Sequence, residues 1–185
     1  MTKSRLIANF ILFQLGWFAC VLLGAGQLHW LGSLIASMIV LVHLQLAERL
    51  KPELMLVLSA VVIGLLWDSA LVWFGVLQYE HGLLAPFLAP HWIVAMWALF
   101  ATTINGSLGW VKTNWLLAAL MGAVGGPLSF YAGYKLGAVQ IPDMALAMAL
   151  LAAGWAVFMP LLVGLSQRLD GVTPSFNRSA KLAAA

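Results

Sequence analysis

Leu54-Met55-Leu56-Val57-Leu58-Ser59-Ala60-Val61-Val62-Ile63-Gly64-Leu65-Leu66-Trp67-Asp68-Ser69-Ala70-Leu71-Val72-Trp73-Phe74-Gly75-Val76-Leu77-Gln78 contains a single charged side chain, Asp68. At 1.5 Å per residue this run is long enough to cross the ~30 Å of hydrocarbon in a bilayer, and it predicts a transmembrane helix. Five further apolar stretches of similar length accompany it: Leu6–Gly26, Leu28–Ala47, Leu84–Ile104, Trp115–Val139 and Met144–Leu165. The connections between them are too short for a soluble domain and make consecutive helices antiparallel neighbours. The expected fold is all-α, a polytopic membrane bundle of about six transmembrane helices in one domain, residues 1–169, followed by a tail at 170–180. Lys181-Leu182-Ala183-Ala184-Ala185 resembles a translated polylinker ahead of a purification tag and carries no functional weight.

Composition supports the same solvent. Of the 185 residues 63% are hydrophobic and 8% charged, against roughly a quarter charged in soluble domains. The net charge of +3 does not indicate a nucleic-acid partner, because the basic residues are scattered over the predicted helix ends. With six spans, Lys3, Arg5, Arg49, Lys51, Lys112, Arg168 and Arg178 share one side and Lys135 lies on the other. That asymmetry predicts both termini in the cytoplasm and Glu80-His81 outside. Leu6–Gly26 has the basic flank of a signal peptide, but it is long enough to span and no small-residue cleavage site follows, so it is read as a membrane helix. Trp30 and Trp92 near the outer boundary, with Trp110 and Trp115 near the inner one, fit an aromatic belt. Trp17, Trp67, Trp97 and Trp155 lie deeper, where an indole N–H needs a partner.

Cys20 is the one cysteine, which excludes an intramolecular disulfide and argues against a thiolate metal site. No metal or cofactor is expected. His29-Trp30 and His91-Trp92 head two of the stretches, and Gly64, Trp73 and Gly75 have counterparts in Gly122, Tyr131 and Gly133. A parallel duplication of one helical hairpin would produce both.

Asp68 is the most informative position. A carboxylate at mid-span costs roughly 2.5–3.5 kcal/mol on insertion scales, so it must face the bundle interior, neutral or paired. It is either a binding or proton-exchange site or an interhelical clasp. Candidate partners are His91, Asn105, Thr102, Thr103 and Ser129, with a depth offset of roughly 4–5 Å between Asp68 and His91 that a bend at Pro86 and Pro90 could close. In the fifth span Gly125, Ser129, Gly133 and Gly137 form one small-residue ridge, and Gly122 with Gly126 an adjacent one. Such ridges let helices approach closely, and beside Pro127 they could also accept a flat or chain-like ligand. The expected ligand-binding set is therefore Asp68, His91, Asn105, Gly126 and Ser129. Glu80, His81 and Lys135 are candidates for an outer entrance, and His43 is read as interfacial. No H-E-x-x-H, G-x-S-x-G or P-loop occurs. Of six acidic residues only Asp68 lies inside a predicted span, which argues against magnesium-dependent diphosphate chemistry.

Trp67-Asp68-Ser69 and Gly122-Ala123-Val124-Gly125-Gly126-Pro127-Leu128-Ser129, with the hydropathy pattern, resemble a family of short bacterial inner-membrane proteins known as a domain of unknown function. The resemblance covers Met1 to about Leu169 and transfers no catalytic residue. Members are often encoded near cyclopropane-fatty-acid-synthase-like enzymes, which implies membrane lipids and lipid-modifying enzymes as partners. The leading expectation is an accessory protein that binds a lipid or lipid-derived molecule inside the membrane. The alternatives are a small-solute or proton-coupled transporter using Asp68, and a membrane enzyme using Asp68 and His91 as acid and base. A cavity open sideways to lipid favours the first, an aqueous path the second, and a shared pocket for Asp68 and His91 the third.

Overall fold

The computed structural model describes residues 2–173, and the distal tail with Arg178 and Lys181–Ala185 lies outside the described residues. These form six α-helices: α1 (Lys3–Gly24), α2 (His29–Gln45), α3 (Leu50–Trp73), α4 (His91–Ile104), α5 (Trp115–Lys135) and α6 (Met144–Arg168). A single 3₁₀ turn, Gly109–Thr113, precedes α5. No strand occurs among the described residues; two isolated bridges, Gln78 with Gln140 and Leu83 with Pro90, tie loops together. Helices α1, α3, α5 and α6 are long and apolar enough to cross a membrane, while α2 and α4 have 17 and 14 residues.

Local chemistry explains where the helices depart from the hydropathy boundaries. Helix α3 begins four residues before Leu54, because Arg49 is extended and Pro52 falls in the first turn, where a missing N–H costs nothing. It ends at Trp73 because Gly75 adopts φ +69°, and Val76 N–H then returns to the Leu71 carbonyl at 2.9 Å. Helix α5 ends the same way, with Gly137 at φ +79° and Ala138 N–H bonded to the Gly133 carbonyl at 2.9 Å. Both are glycine-terminated Schellman ends. Helix α4 is much shorter than Leu84–Ile104: Pro90 is extended at ψ 145° and starts the helix at His91.

One interval recurs among these ends. His29 and His91, the first residues of α2 and α4, stand 62 residues apart. The same interval relates the glycine ends of α3 and α5, and Gln78 to Gln140, which exchange N–H···O bonds of 3.0 and 2.8 Å. This interval differs by four residues from the one relating Gly64 to Gly122, and it sets Gly64 against Gly126.

Helix α4 is the hub, packed by α1, α2 and α3 and touched by α6. Helix α5 lies along α6 and the 3₁₀ turn. The segment between α3 and α4 is only partly covered by protein, with Phe74, Leu84 and Phe87 exposed. Residues 74–90 precede α4, and Leu77, Tyr79 and Ala89 are buried there. The α3 stripe toward the core is Glu53, Leu56, Val57, Ala60, Gly64, Asp68 and Leu71, while Leu58, Val62 and Leu66 point outward. Exposed apolar faces of this kind recur on every long helix. Water would penalise so large an apolar surface; lipid does not.

Candidate functional site

The polar interior is divided among three levels. Asp68, fully buried at the centre, accepts a 2.6 Å hydrogen bond from Trp97 Nε1 at Oδ2, while Oδ1 has no protein partner. Gly64 makes room for that indole, since a Cβ there would lie 2.1 Å from the Trp97 ring. Trp97 stacks in turn on Trp155, centroids 4.7 Å apart and 11° from parallel. Of the deep indoles, Trp17 and Trp97 have found partners, whereas the N–H groups of Trp67 and Trp155 are buried without one.

His91 belongs to the level where α2 and α4 begin. Its Nε2 is 2.9 Å from His29 Nδ1, its Nδ1 is 2.6 Å from Ser33 Oγ, and His81 stacks on His29. His91 thus bonds to neighbours on α2, not to Asp68. Trp92, expected in the boundary belt, is 1% exposed and donates to the His81 carbonyl, whereas Trp30, Trp110 and Trp115 are exposed. Glu80 accepts from Gln140 Nε2 at 2.7 Å, and Lys135 Nζ lies over the rings of Tyr131 and Tyr134. Thr102 and Thr103 donate to carbonyls of their own helix.

Asn105 lies at the opposite end of α4, about 20 Å from His91 along the axis. There it meets a residue that the hydropathy reading left outside the spans. Glu53 is fully buried, with His43 Nε2 2.7 Å from Oε1, and with Asn105 Nδ2 and the Gly171 N–H donating to Oε2 at 2.7 and 3.0 Å. Lys112 donates to Asn105 Oδ1 and lies 3.2 Å from Asp170. Arg49 donates to the Asp170 carbonyl. Burial acts to raise the Asp170 pKa, but the Thr173 amide, the Lys112 ammonium, the Thr173 hydroxyl and the Val172 amide outweigh it and hold the carboxyl below its usual value. The signal for Glu53 was its register: it lies about four helical turns before Asp68, on the same stripe as Val57, Ala60 and Gly64.

A half-open groove of about 400 Å³ lies between α1 and α5. Phe13, Gln14 and Trp17 of α1 form one wall and Gly125, Leu128 and Ser129 of α5 the other, with Trp155 also in the lining. Such a volume falls in the range of ligand sites, about 300–1,000 Å³. Trp17 Nε1 donates to Ser129 Oγ at 2.9 Å and ties α1 to α5 across it. Ser129 and Trp17 also line two smaller cavities of about 60 and 20 Å³. Asp68 lines none of the three; Trp97 and Trp155 stand between it and the groove.

The two glycine ridges have opposite roles. A Cβ on Gly122 would lie 2.1 Å from the Trp155 carbonyl oxygen, and one on Gly126 2.3 Å from the Trp155 ring, so this ridge seats α6. A Cβ on Gly125 would meet nothing within 4 Å, and one on Gly133 only Val139 at 3.6 Å. Gly137 has left the helix. The longer ridge is therefore not a close helix contact, and its Gly125–Ser129 portion lines the groove. Of the five expected ligand residues, Gly126 and Ser129 share this cavity; Asp68, His91 and Asn105 occupy three other places.

Among the described residues no three His, Cys, Asp or Glu side chains are arranged to hold a metal ion. Neither the curated proteins nor the solved structures contain a match to the chain. Residues 6–161 match the family described as "Protein of unknown function (DUF2878)", a span covering most of the sequence, and the chain belongs to that family.

Proposed function

We propose that this is an integral membrane protein of six crossings, with both termini cytoplasmic, whose groove between α1 and α5 holds the hydrocarbon chain of a membrane lipid. The observation that carries the reading is the groove: about 400 Å³, half-open, walled by aromatic and glycine surfaces and bordered by Gln14 and Ser129 as its polar groups. In a bilayer such a seam faces acyl chains, and a smooth glycine wall opposite indole and phenyl rings suits a chain better than a charged solute. The family resemblance supplies the setting, a bacterial inner membrane, and the partners, enzymes that modify lipids. Asp68 and His91 bond to different neighbours, which does not favour a shared acid–base pocket, and Asp68 lines none of the three cavities above, which does not favour the transporter reading.

Gly125→Phe tests the groove. The position has open space, so the variant should fold and insert normally while the molar ratio of co-purified lipid, measured by mass spectrometry, falls by at least about half. An unchanged ratio removes the groove as the lipid site. The orientation is tested separately by reporter fusions at Arg49, His81 and the C-terminus. A cytoplasm-active signal at Arg49 and the C-terminus, with an outside-active signal at His81, is expected. The reverse pattern overturns the orientation, and termini on opposite sides overturn the six crossings.

A further inference from the structure

A fourth cavity, of about 110 Å³, lies away from the groove at the end of the bundle where α1 begins and α2 ends. Its apolar floor includes Leu12, Ile39 and Leu46, and its polar lining is Arg5, Asn9, His43 and Thr102. Asn9 is already committed, donating to the Thr102 carbonyl at 3.2 Å and accepting from Ser107 N–H at 2.9 Å. Thr102 is bonded within its own helix. Two groups remain for a ligand: the Arg5 guanidinium, which is exposed, and the second ring nitrogen of His43. Buried Glu53 takes Nε2 of that histidine and so fixes the ring, leaving Nδ1 as its unused nitrogen.

We propose that this cavity binds the phosphate of a phospholipid headgroup, held between Arg5 and His43. A guanidinium fork matches phosphate oxygens in geometry as well as charge. Glu53 on one ring nitrogen and the phosphate on the other would bracket the His43 ring, as a carboxylate orients a histidine in other sites. The volume suits a headgroup and not a chain. The apolar floor assigns the phosphate to a lipid: Leu12, Val42 and Leu46 continue outward as exposed apolar surface along α1 and α2, where the chains of that lipid would lie. A free phosphate ion gains nothing from such a surface. Basic side chains at the cytoplasmic face also attract anionic lipid by long-range charge. The proposal stands on helices α1 and α2 and is independent of the groove between α1 and α5.

The test is binding of dioctanoyl-phosphatidylglycerol to the purified full chain in neutral detergent, followed by native mass spectrometry, with dioctanoylglycerol and inorganic phosphate as comparison probes. The phospholipid should bind, and Arg5→Gln should weaken it roughly tenfold or more, the loss expected for one charge-assisted contact. His43→Gln should do the same. Arg5 has an exposed side chain, so its variant tests the site even if the histidine variant loses folded yield. The comparison of the probes and of Arg5→Gln is made in the Gly125→Phe background, where the groove is filled, and the same Arg5 dependence is expected there, which separates this site from the groove. Equal affinity of wild type and Arg5→Gln overturns the proposal. So does dioctanoylglycerol binding as tightly as the phospholipid, or inorganic phosphate displacing it at equal concentration.

Discussion

Gly122→Ala should cut the folded, monodisperse yield severely, while Gly125→Ala, three residues away on the same helix, should leave it unchanged. The first added methyl would stand 2.1 Å from the Trp155 carbonyl oxygen, a backbone atom that no rotamer change can move aside. Helices α5 and α6 must then separate, at a cost toward or beyond the upper end of the roughly 1–3 kcal/mol typical of overpacking. The second methyl would meet no atom within 4 Å and should shift stability by no more than about 0.5 kcal/mol. Detergent-solubilised yield and thermal midpoint, read in parallel, check both. Equal losses would mean that α5 does not meet α6 along Gly122 and Gly126.

Glu53→Ala is the second large effect expected. The carboxylate is fully buried and faces three hydrogen-bond donors: His43, Asn105 and the Gly171 N–H. Removing it leaves all three without their acceptor and takes away the negative charge beside His43. Leaving a buried donor without its acceptor costs about 1–3 kcal/mol for each group, and several such losses amount to much of a domain's net stability. Glu53→Gln offers no rescue of the full network, because its amide NH₂ sets a donor against donors. The thermal midpoint of both variants should fall, with alanine the lower. A midpoint within a degree or two of wild type for Glu53→Ala would show that the cluster does not hold this end of the bundle together.

The long helices were legible because hydropathy reports the solvent directly, and Asp68 was legible as interior because a carboxylate facing lipid is prohibitively expensive. Glu53 was missed by the same logic. Its neighbours Lys51 and Pro52 read as a connection, and its burial depends on Gly171 returning from beyond α6, a contact between residues far apart in sequence. The glycine ridges show a different limit. A four-residue spacing identifies residues that share a face, but only the position of Trp155 decides which face receives α6 and which lines the groove. Likewise, the depth of Asp68 and His91 along their spans did not reveal that Trp97 would occupy the first and His29 with Ser33 the second. The shortened α4 follows from Pro90, a signal present in the sequence but outweighed there by the apolar run around it.

The central claim, a lipid chain held in the α1–α5 groove, is tested most directly by an experimental structure of the wild-type chain crystallised from a lipidic phase. Continuous chain-like density against Gly125 and Trp155, on the groove side of the Trp17–Ser129 hydrogen bond, is the result expected. Helix α1 closed onto α5 with side chains filling that space, and no density between them, would contradict it.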